Sequence, residues 1–234
     1  MNSPIHRIDG HAHLAYPVSF DSLSGVLQKA GADAVCLLAL PGTGRLDPTP
    51  DLLCYKLAHP ETTFVFGCLD CTVYETDPAH CGDRFVRRTR RLLAMGCDGV
   101  KLLEGKPTMR RRFSIPDFDA PAWEPFWAYA ERERIPLLWH VNDSEQFWNP
   151  DAIPPYARSS GWGYGPEDVN NEEQYRQVRT VLERYPQLNV TLAHLFFLSA
   201  QLPRLGEWLE RFPNLRVDLA PGIELYENLS RTPE

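Results

Sequence analysis

The sequence predicts an α/β fold, a TIM-type (β/α)8 barrel, from three observations. Apolar segments of strand length alternate with segments that have helical spacing and a charged face. The apolar segments are rich in Val, Ile and Leu without polar alternation, which indicates a parallel sheet covered on both faces. The pattern recurs about every 30 residues, as in the right-handed units of a barrel. We expect residues 1–234 to form a single domain.

Seven strands and five of the connecting helices can be placed along the chain. The predicted strands are 5–10, 33–40, 63–69, 99–104, 135–141, 189–196 and 215–220. The predicted helices run from Asp21 or Ser22 to Gly31 and over 83–95, 120–134, 171–185 and 199–212, with Gly or Pro near their ends. A complete barrel has eight strands, so only seven βα units are visible. We therefore expect a chain truncated at its C-terminal side, with the eighth strand missing.

Composition excludes several classes of function. The chain has 234 residues, 43% of them hydrophobic, and a net charge of −7, which is typical of a soluble globular protein and not of a nucleic-acid-binding protein. No segment reaches the apolar length of a membrane helix, and no signal peptide is evident, so we expect a cytoplasmic protein. The six cysteines lie mainly in or beside apolar segments, which predicts free thiols.

Four histidines fall at the carboxyl ends of predicted strands. His11 and His13 follow the first strand, His140 ends the fifth, and His194 lies near the end of the sixth. Residues two apart in an extended chain point to the same side, and the carboxyl ends of barrel strands meet at one face. Each histidine alone is more often a core residue, but their joint placement predicts a metal site.

Five segments carry a family resemblance: "IDGHAH", "GVKLLEG", "IPLLWHVND", "NVTLAHLFF" and "NLRVDLAPG". In this order and at this spacing they resemble the amidohydrolase-related (amidohydrolase 2 type) metal-dependent hydrolases of the amidohydrolase superfamily. The resemblance implies that His11, His13 and His140 are metal ligands and that His194 is a catalytic residue that polarises the substrate or transfers a proton. It also implies one divalent metal ion, with zinc favoured and manganese or iron as alternatives.

The chain departs from this family at the last metal ligand, which is an Asp at the end of the eighth strand. Asp218 lies on the seventh strand, and the family position that it matches is not the metal aspartate. We therefore interpret Asp218 as a candidate for substrate binding.

Two further residues are candidates for substrate binding. Lys101 is a cation within an apolar strand, and a buried charge of this kind requires an explanation. The alternatives are an ion pair with Glu104 or another acid at a strand end, a contact with a substrate carboxylate, or carbamylation to bridge a second metal; we favour the substrate carboxylate. Trp148 belongs to the long connection 142–169, which is rich in aromatic residues and glycine and suits a mobile lid. The same aromatic residues suit a contact between two copies of the chain, so a homodimer stays open.

These features predict a hydrolase that uses a metal-activated water on an amide, ester or lactone of a small molecule, with an anionic one favoured by Lys101. Three alternatives stay open. One is a metal-dependent decarboxylase or hydratase of the same family. Another is a phosphoesterase with a seven-stranded barrel, which usually requires more His, Asp and Glu ligands than this chain offers. The third is a barrel that binds metal without catalysis.

Overall fold

Seven parallel strands form one curled sheet in which each strand pairs with the next along the chain. The computed structural model describes residues 7–14, 19–41, 47–220 and 223–231. The strands are β1 (Ile8–Ala12), β2 (Ala34–Leu38), β3 (Thr63–Cys68), β4 (Gly99–Gly105), β5 (Leu137–Val141), β6 (Val190–Leu192) and β7 (Leu215–Val217). Helices fill the connections, as the sequence predicts for a (β/α)8-type barrel, and the described residues contain seven of its strands. The predicted fold class is confirmed.

The helices lie in the connections between the strands and after β7. They are α1 (Phe20–Ala30), α2 (Thr49–Ala58), α3 (Val73–Thr76), α4 (Cys81–Ala94), α5 (Pro107–Arg112), α6 (Glu124–Arg132), α7 (Pro155–Ser159), α8 (Asn171–Arg184), α9 (Leu202–Arg211) and α10 (Ile223–Arg231). The sequence prediction omitted α2, whose apolar residues do not mark one clear face. It also placed no helix after the seventh strand, whereas α10 follows β7.

Two strands differ from their predicted bounds in ways that affect the histidines. β1 extends to Ala12, so His11 lies within the strand; residues 5 and 6 of the predicted strand are outside the described residues. β6 ends at Leu192, because the chain enters a left-handed turn of four non-glycine residues, 194–197, with φ between 51° and 58°. Left-handed backbone costs roughly 1–2 kcal/mol per L-residue, so tertiary contacts must stabilise this turn.

The main hydrophobic core lies between the sheet and the helices. Its largest members are three fully buried tryptophans, and the rings of Trp123 and Trp127 stack at 5.2 Å while Trp139 lies 4.9 Å from Trp127. A smaller apolar cluster contains Cys36, Leu38, Leu138 and Ala193, with Phe66 packed against it. Both clusters include strand residues, because successive side chains of a strand point to opposite faces of the sheet.

All six cysteines are free thiols and five of them are buried, as the sequence predicted. Among the residues that the structure describes, no helix combines the length and the apolar composition that crossing a membrane would require.

Candidate metal centre

The four histidines of the sequence prediction lie together at the carboxyl ends of the strands. His11 is in β1, His13 directly follows that strand, His140 is in β5, and His194 lies two residues beyond β6. The ring centroids of His11 and His13, of His11 and His194, and of His140 and His194 are each 5.0 Å apart. The fold therefore gathers imidazoles from the first, fifth and sixth strands into one cluster.

Each of the four rings has one nitrogen in contact with an oxygen that can only accept a hydrogen bond. The contacts are His11 Nδ1 with Asp218 Oδ2 (2.7 Å), His13 Nδ1 with the Leu38 carbonyl (2.8 Å), His194 Nδ1 with the Ala220 carbonyl (2.9 Å) and His140 Nε2 with the Asn142 carbonyl (3.0 Å). The contacting nitrogen must therefore donate, which leaves a lone pair on the other nitrogen of each neutral ring.

The surroundings keep these imidazoles neutral. Burial lowers the pKa of His194 to about 4 and the pKa of His140 well below its usual value, and nearby positive charge from Lys101 acts in the same direction. Burial also lowers the pKa of His11, and that of His13 to about 4, although His13 keeps the most exposure of the four. A neutral imidazole is the form that binds a metal ion.

The His11 and His13 rings approach each other through nitrogens that both carry a lone pair. Their Nε2 atoms are 3.2 Å apart. Two lone pairs at this distance repel unless a cation lies between them. Two nitrogens on one tetrahedral zinc ion are separated by about 3.3 Å, given Zn–N distances of about 2.0–2.1 Å. The spacing of these two donors therefore fits a divalent ion.

Asp218 lies against two of these histidines. Its Oδ2 contacts the His11 ring, and its Oδ1 accepts hydrogen bonds from the backbone N–H of His194 (2.7 Å) and of Ala220 (3.1 Å). Burial opposes the charged form, but these hydrogen bonds and the nearby imidazoles hold the pKa of the Asp218 carboxyl at about 2. Potential ligand atoms of His11, His194 and Asp218 lie within 4.8 Å of one another.

Lys101 is fully buried in β4, with 1% of its surface exposed. Within the described part of the chain its Nζ has no hydrogen-bond partner and neither has Glu104 Oε1, so the ion pair that one alternative required is not formed. Burial lowers the pKa of Lys101 to about 7 and raises that of Glu104 to about 7. Lys101 acts electrostatically on all four histidines, which places its charge beside the cluster.

The predicted lid, 142–169, folds around its own aromatic cluster. Phe147, Ile153, Ala157 and Tyr164 are buried, and Trp148, Tyr156 and Trp162 pack against them. Trp148 lies 4.5 Å from the Tyr164 ring by centroid distance, and among the described residues its ring contacts are with that cluster and not with the histidines.

The lid is tied to the histidine cluster by a buried ion pair that sequence reasoning missed. Lys106 Nζ lies 2.6 Å from Asp143 Oδ2, which also accepts from the Tyr164 hydroxyl at 2.5 Å. Asp143 Oδ1 is 3.9 Å from His140 Nε2. Asp143, three residues after His140, was the signal in the sequence that could have indicated this ion pair. Its partner Lys106, however, follows a different strand.

No family model matches the chain, and a search of curated proteins finds no match either. Several solved structures share its fold. A TIM-barrel protein from Bordetella bronchiseptica has a TM-score of 0.57 and 16% identity over 86% of this chain. An amidohydrolase II has a TM-score of 0.59 and 12% identity, covering 96% of this chain and 82% of its own. A 2,6-dihydroxybenzoate decarboxylase from Rhizobium has a TM-score of 0.59 and 16% identity over the same shares of the two chains.

The chain has the fold of the amidohydrolase-type barrels. The resemblance inferred from the five segments is thus confirmed at the level of the fold. The chain spans 59% of the length of the Bordetella protein. Enzymes with this fold include decarboxylases and a hydratase, so the fold leaves the reaction open.

Proposed function

We propose that this chain is a metal-dependent hydrolase of the amidohydrolase type, acting on an amide, ester or lactone of a small anionic molecule. One observation carries the proposal: four neutral imidazoles each keep one nitrogen lone pair, and the Nε2 atoms of His11 and His13 lie 3.2 Å apart. We assign His11, His13 and His140 to one divalent ion, with zinc favoured over manganese or iron. When bound, such an ion lowers the pKa of water and polarises a carbonyl.

We assign the proton transfers of the reaction to His194. Its Nδ1 is committed to the Ala220 carbonyl, so Nε2 is the atom that can accept a proton from the attacking water and return it to the leaving group. The lowered pKa of His194 keeps Nε2 free for the first of these transfers at neutral pH. The hydrogen bond to Ala220 holds the ring in one orientation between the two transfers.

We assign the substrate side to Lys101 and Trp148. A fully buried ammonium group without a hydrogen-bond partner among the described residues is strongly disfavoured, and a carboxylate on the substrate would supply the missing partner. Trp148 would contribute an aromatic wall from the lid, and the aromatic cluster of the lid would exclude water from that side of the site.

Decarboxylation of a small aromatic acid is the second candidate. It is supported by the similarity to the Rhizobium 2,6-dihydroxybenzoate decarboxylase and by the same unpartnered Lys101, which would hold the carboxylate that leaves. The two candidates differ in their products, because only decarboxylation releases carbon dioxide.

The test combines metal content with a substrate panel. Purified His11→Ala, His13→Ala and His140→Ala proteins are expected to lose bound zinc, measured by inductively coupled plasma mass spectrometry. His80→Ala is the matched control, because His80 is exposed and pairs with Asp77 away from the cluster. Wild-type protein is then assayed on carboxylated lactones and amides and on hydroxybenzoates. Wild-type zinc content in both His11→Ala and His140→Ala would refute the metal site.

A further inference from the structure

Asp218 connects the two outer strands of the described sheet. β1 and β7 lie at opposite ends of the strand order, and among the described residues they are not hydrogen-bonded to each other. A side-chain contact of 2.7 Å between Asp218 Oδ2 and His11 Nδ1 nevertheless joins their carboxyl ends. Both side chains are largely buried, with 13% and 6% of their surfaces exposed, so water screens this contact little.

The hydrogen bonds of Asp218 occupy both of its oxygens. Oδ2 faces the ring of His11, while Oδ1 receives the backbone N–H groups of His194 and Ala220. Three donors in a partly buried site leave the carboxylate little capacity for a substrate contact. Asp218 contacts the His11 ring at Nδ1, whereas the Nε2 atom of that ring faces His13.

Asp218 also holds the left-handed turn that carries His194. The side chain of Asp218 accepts the His194 N–H, and its main-chain carbonyl accepts the N–H of Leu195 at 2.9 Å. The two residues at the start of the turn are therefore fixed by one residue of β7's carboxyl end. In this way a single residue sets the ring of His11 and the backbone from which His194 projects.

We infer that Asp218 is a positioning residue for the metal centre, and neither a metal ligand nor a substrate contact. Its carboxylate fixes His11 as the Nδ1–H tautomer, directs Nε2 toward the ion and increases the basicity of that nitrogen. It also orients His194 through the start of the turn. The inference rests on the proposed function for the presence of the ion, whereas the tautomer is a property of the metal-free protein.

The first experiment measures the tautomer in metal-free wild-type protein by nitrogen-15 NMR of the histidine side chains. His11 is expected to carry its proton on Nδ1, with Nε2 unprotonated. In Asp218→Asn the Nδ1–H signal is expected to shift strongly or be lost, since the amide no longer offers a charged acceptor. Asp9→Asn is the matched control: Asp9 is exposed and accepts the backbone N–H of His11 at 3.1 Å, away from its ring.

The second experiment measures zinc affinity by competition with a chromogenic chelator. Asp218→Asn is expected to bind zinc about 10–100-fold more weakly than wild type, whereas Asp9→Asn stays within about twofold. X-ray absorption of the zinc-loaded proteins is expected to give the same number of nitrogen and oxygen ligands in both variants. Asp218→Glu, which keeps the charge, is expected to recover part of the affinity.

The outcomes separate the inference from the proposed function. An Nε2–H tautomer of His11 in the wild-type protein overturns the inference even if Asp218→Asn fails to fold. Loss of an oxygen ligand from zinc in Asp218→Asn overturns it as well, because Asp218 would then be a ligand. Unchanged zinc affinity in His11→Ala contradicts the proposed metal site itself and leaves the tautomer result standing.

Discussion

Gly105 lies at a close approach between β4 and β5. A Cβ atom at this residue would be 2.4 Å from the carbonyl oxygen of His140 and 2.6 Å from the Cα of Val141, so the two strands would have to separate. We predict that Gly105→Ala lowers the free energy of unfolding by about 1–3 kcal/mol and also weakens zinc binding, because His140 moves.

Gly206 provides the control for this substitution. It lies within α9, and an added Cβ would meet nothing within 4 Å. Gly206→Ala is therefore expected to raise stability by about 0.5–1 kcal/mol. Urea unfolding of both variants measures the difference. Equal stability of the Gly105→Ala and wild-type proteins would contradict the close strand packing at His140.

Substitution of Lys101 is expected to impair substrate recognition without reducing stability. Replacing it with Met removes a buried charge that has no hydrogen-bond partner among the described residues, so we predict unchanged or slightly higher stability. The KM for a carboxylated substrate is expected to rise about tenfold or more, from loss of a charge-assisted contact. The KM for the matching uncharged amide or methyl ester should stay the same.

Lys29→Met is the control for Lys101→Met, since Lys29 is exposed in the last turn of α1. It should change neither KM. If Lys101→Met raised the KM of charged and uncharged substrates equally, its role would be structural.

At the scale of single residues, the sequence predicted the four histidines but not that Asp218 contacts the ring of His11. Asp9 lies two residues before His11 in the sequence, yet its side chain accepts the backbone N–H of His11 and does not contact the ring. Asp218 contacts the ring instead, from 207 residues away. Which carboxylate reaches the ring depends on how the sheet curls, and local sequence patterns carry no information on that.

At the scale of structural elements, the ion pair between Lys106 and Asp143 holds the lid (142–169). Both side chains are mostly buried, with 12% and 4% of their surfaces exposed. We predict that Lys106→Met lowers the free energy of unfolding by about 3 kcal/mol, because it leaves a buried carboxylate unpaired. Proteolysis within 142–169 should become faster.

The control for the ion pair is Arg132→Met. Arg132 pairs with Glu133, and both are exposed, so its removal is expected to change stability by about 0–1 kcal/mol. A loss in Lys106→Met no larger than in Arg132→Met would show that the lid does not depend on the pair.

Tyr175 stabilises the left-handed turn from α8. Its hydroxyl donates to the Phe196 carbonyl at 3.1 Å, and its ring packs against that of Phe196 at 4.7 Å. We predict that Tyr175→Phe destabilises the protein by about 1–3 kcal/mol, because a buried carbonyl loses its donor. Tyr226→Phe, on the exposed face of α10, should have no effect. Thermal unfolding of the two variants provides the comparison.

This turn also shows where sequence reasoning fails for an element. "HLFF" contains no glycine, so nothing in it signals a left-handed backbone, and the predicted strand ran on to Phe196. The turn forms because Phe196 packs against Tyr175 and Trp208 while Asp218 binds its first two residues. These are tertiary contacts, and they override the local preference for an extended chain.

For the whole molecule, stability depends on keeping the histidine cluster neutral. The pKa of His194 is lowered to about 4 in the folded protein, against about 6.5 when unfolded, and His140 is shifted in the same direction. The unfolded chain therefore binds protons first as pH falls. The contribution of the neutral histidines to the free energy of unfolding is therefore complete above about pH 6.5 and is lost progressively toward pH 4.

We accordingly predict that the melting temperature of chelator-treated protein falls between pH 6.5 and 4. His194→Gln should show a flatter dependence over the same range, since it removes one of the protonation sites. Differential scanning calorimetry at fixed ionic strength makes the comparison. Identical pH dependence in both proteins would mean that His194 does not remain neutral in the folded state.

The global fold was predictable because its signal is repeated. Seven apolar segments at similar spacing indicated the parallel sheet, and each strand does pair with its successor. The helix α2 was missed because it buries Thr49, Leu52 and Tyr55, a face too mixed to stand out in the sequence. The site followed from the fold only in part, because the sequence located the donors while their orientation came from hydrogen bonds across the barrel.

The contact between His11 and Asp218 has a consequence for the order of folding. All strand pairs join neighbours along the chain, whereas this contact closes a loop of 207 residues and must form late. An ion that needs His11 correctly oriented would bind only the nearly complete fold. At a free concentration of 100 times Kd it would stabilise the native state by about 2.7 kcal/mol, so zinc release during unfolding should report the loss of the entire barrel.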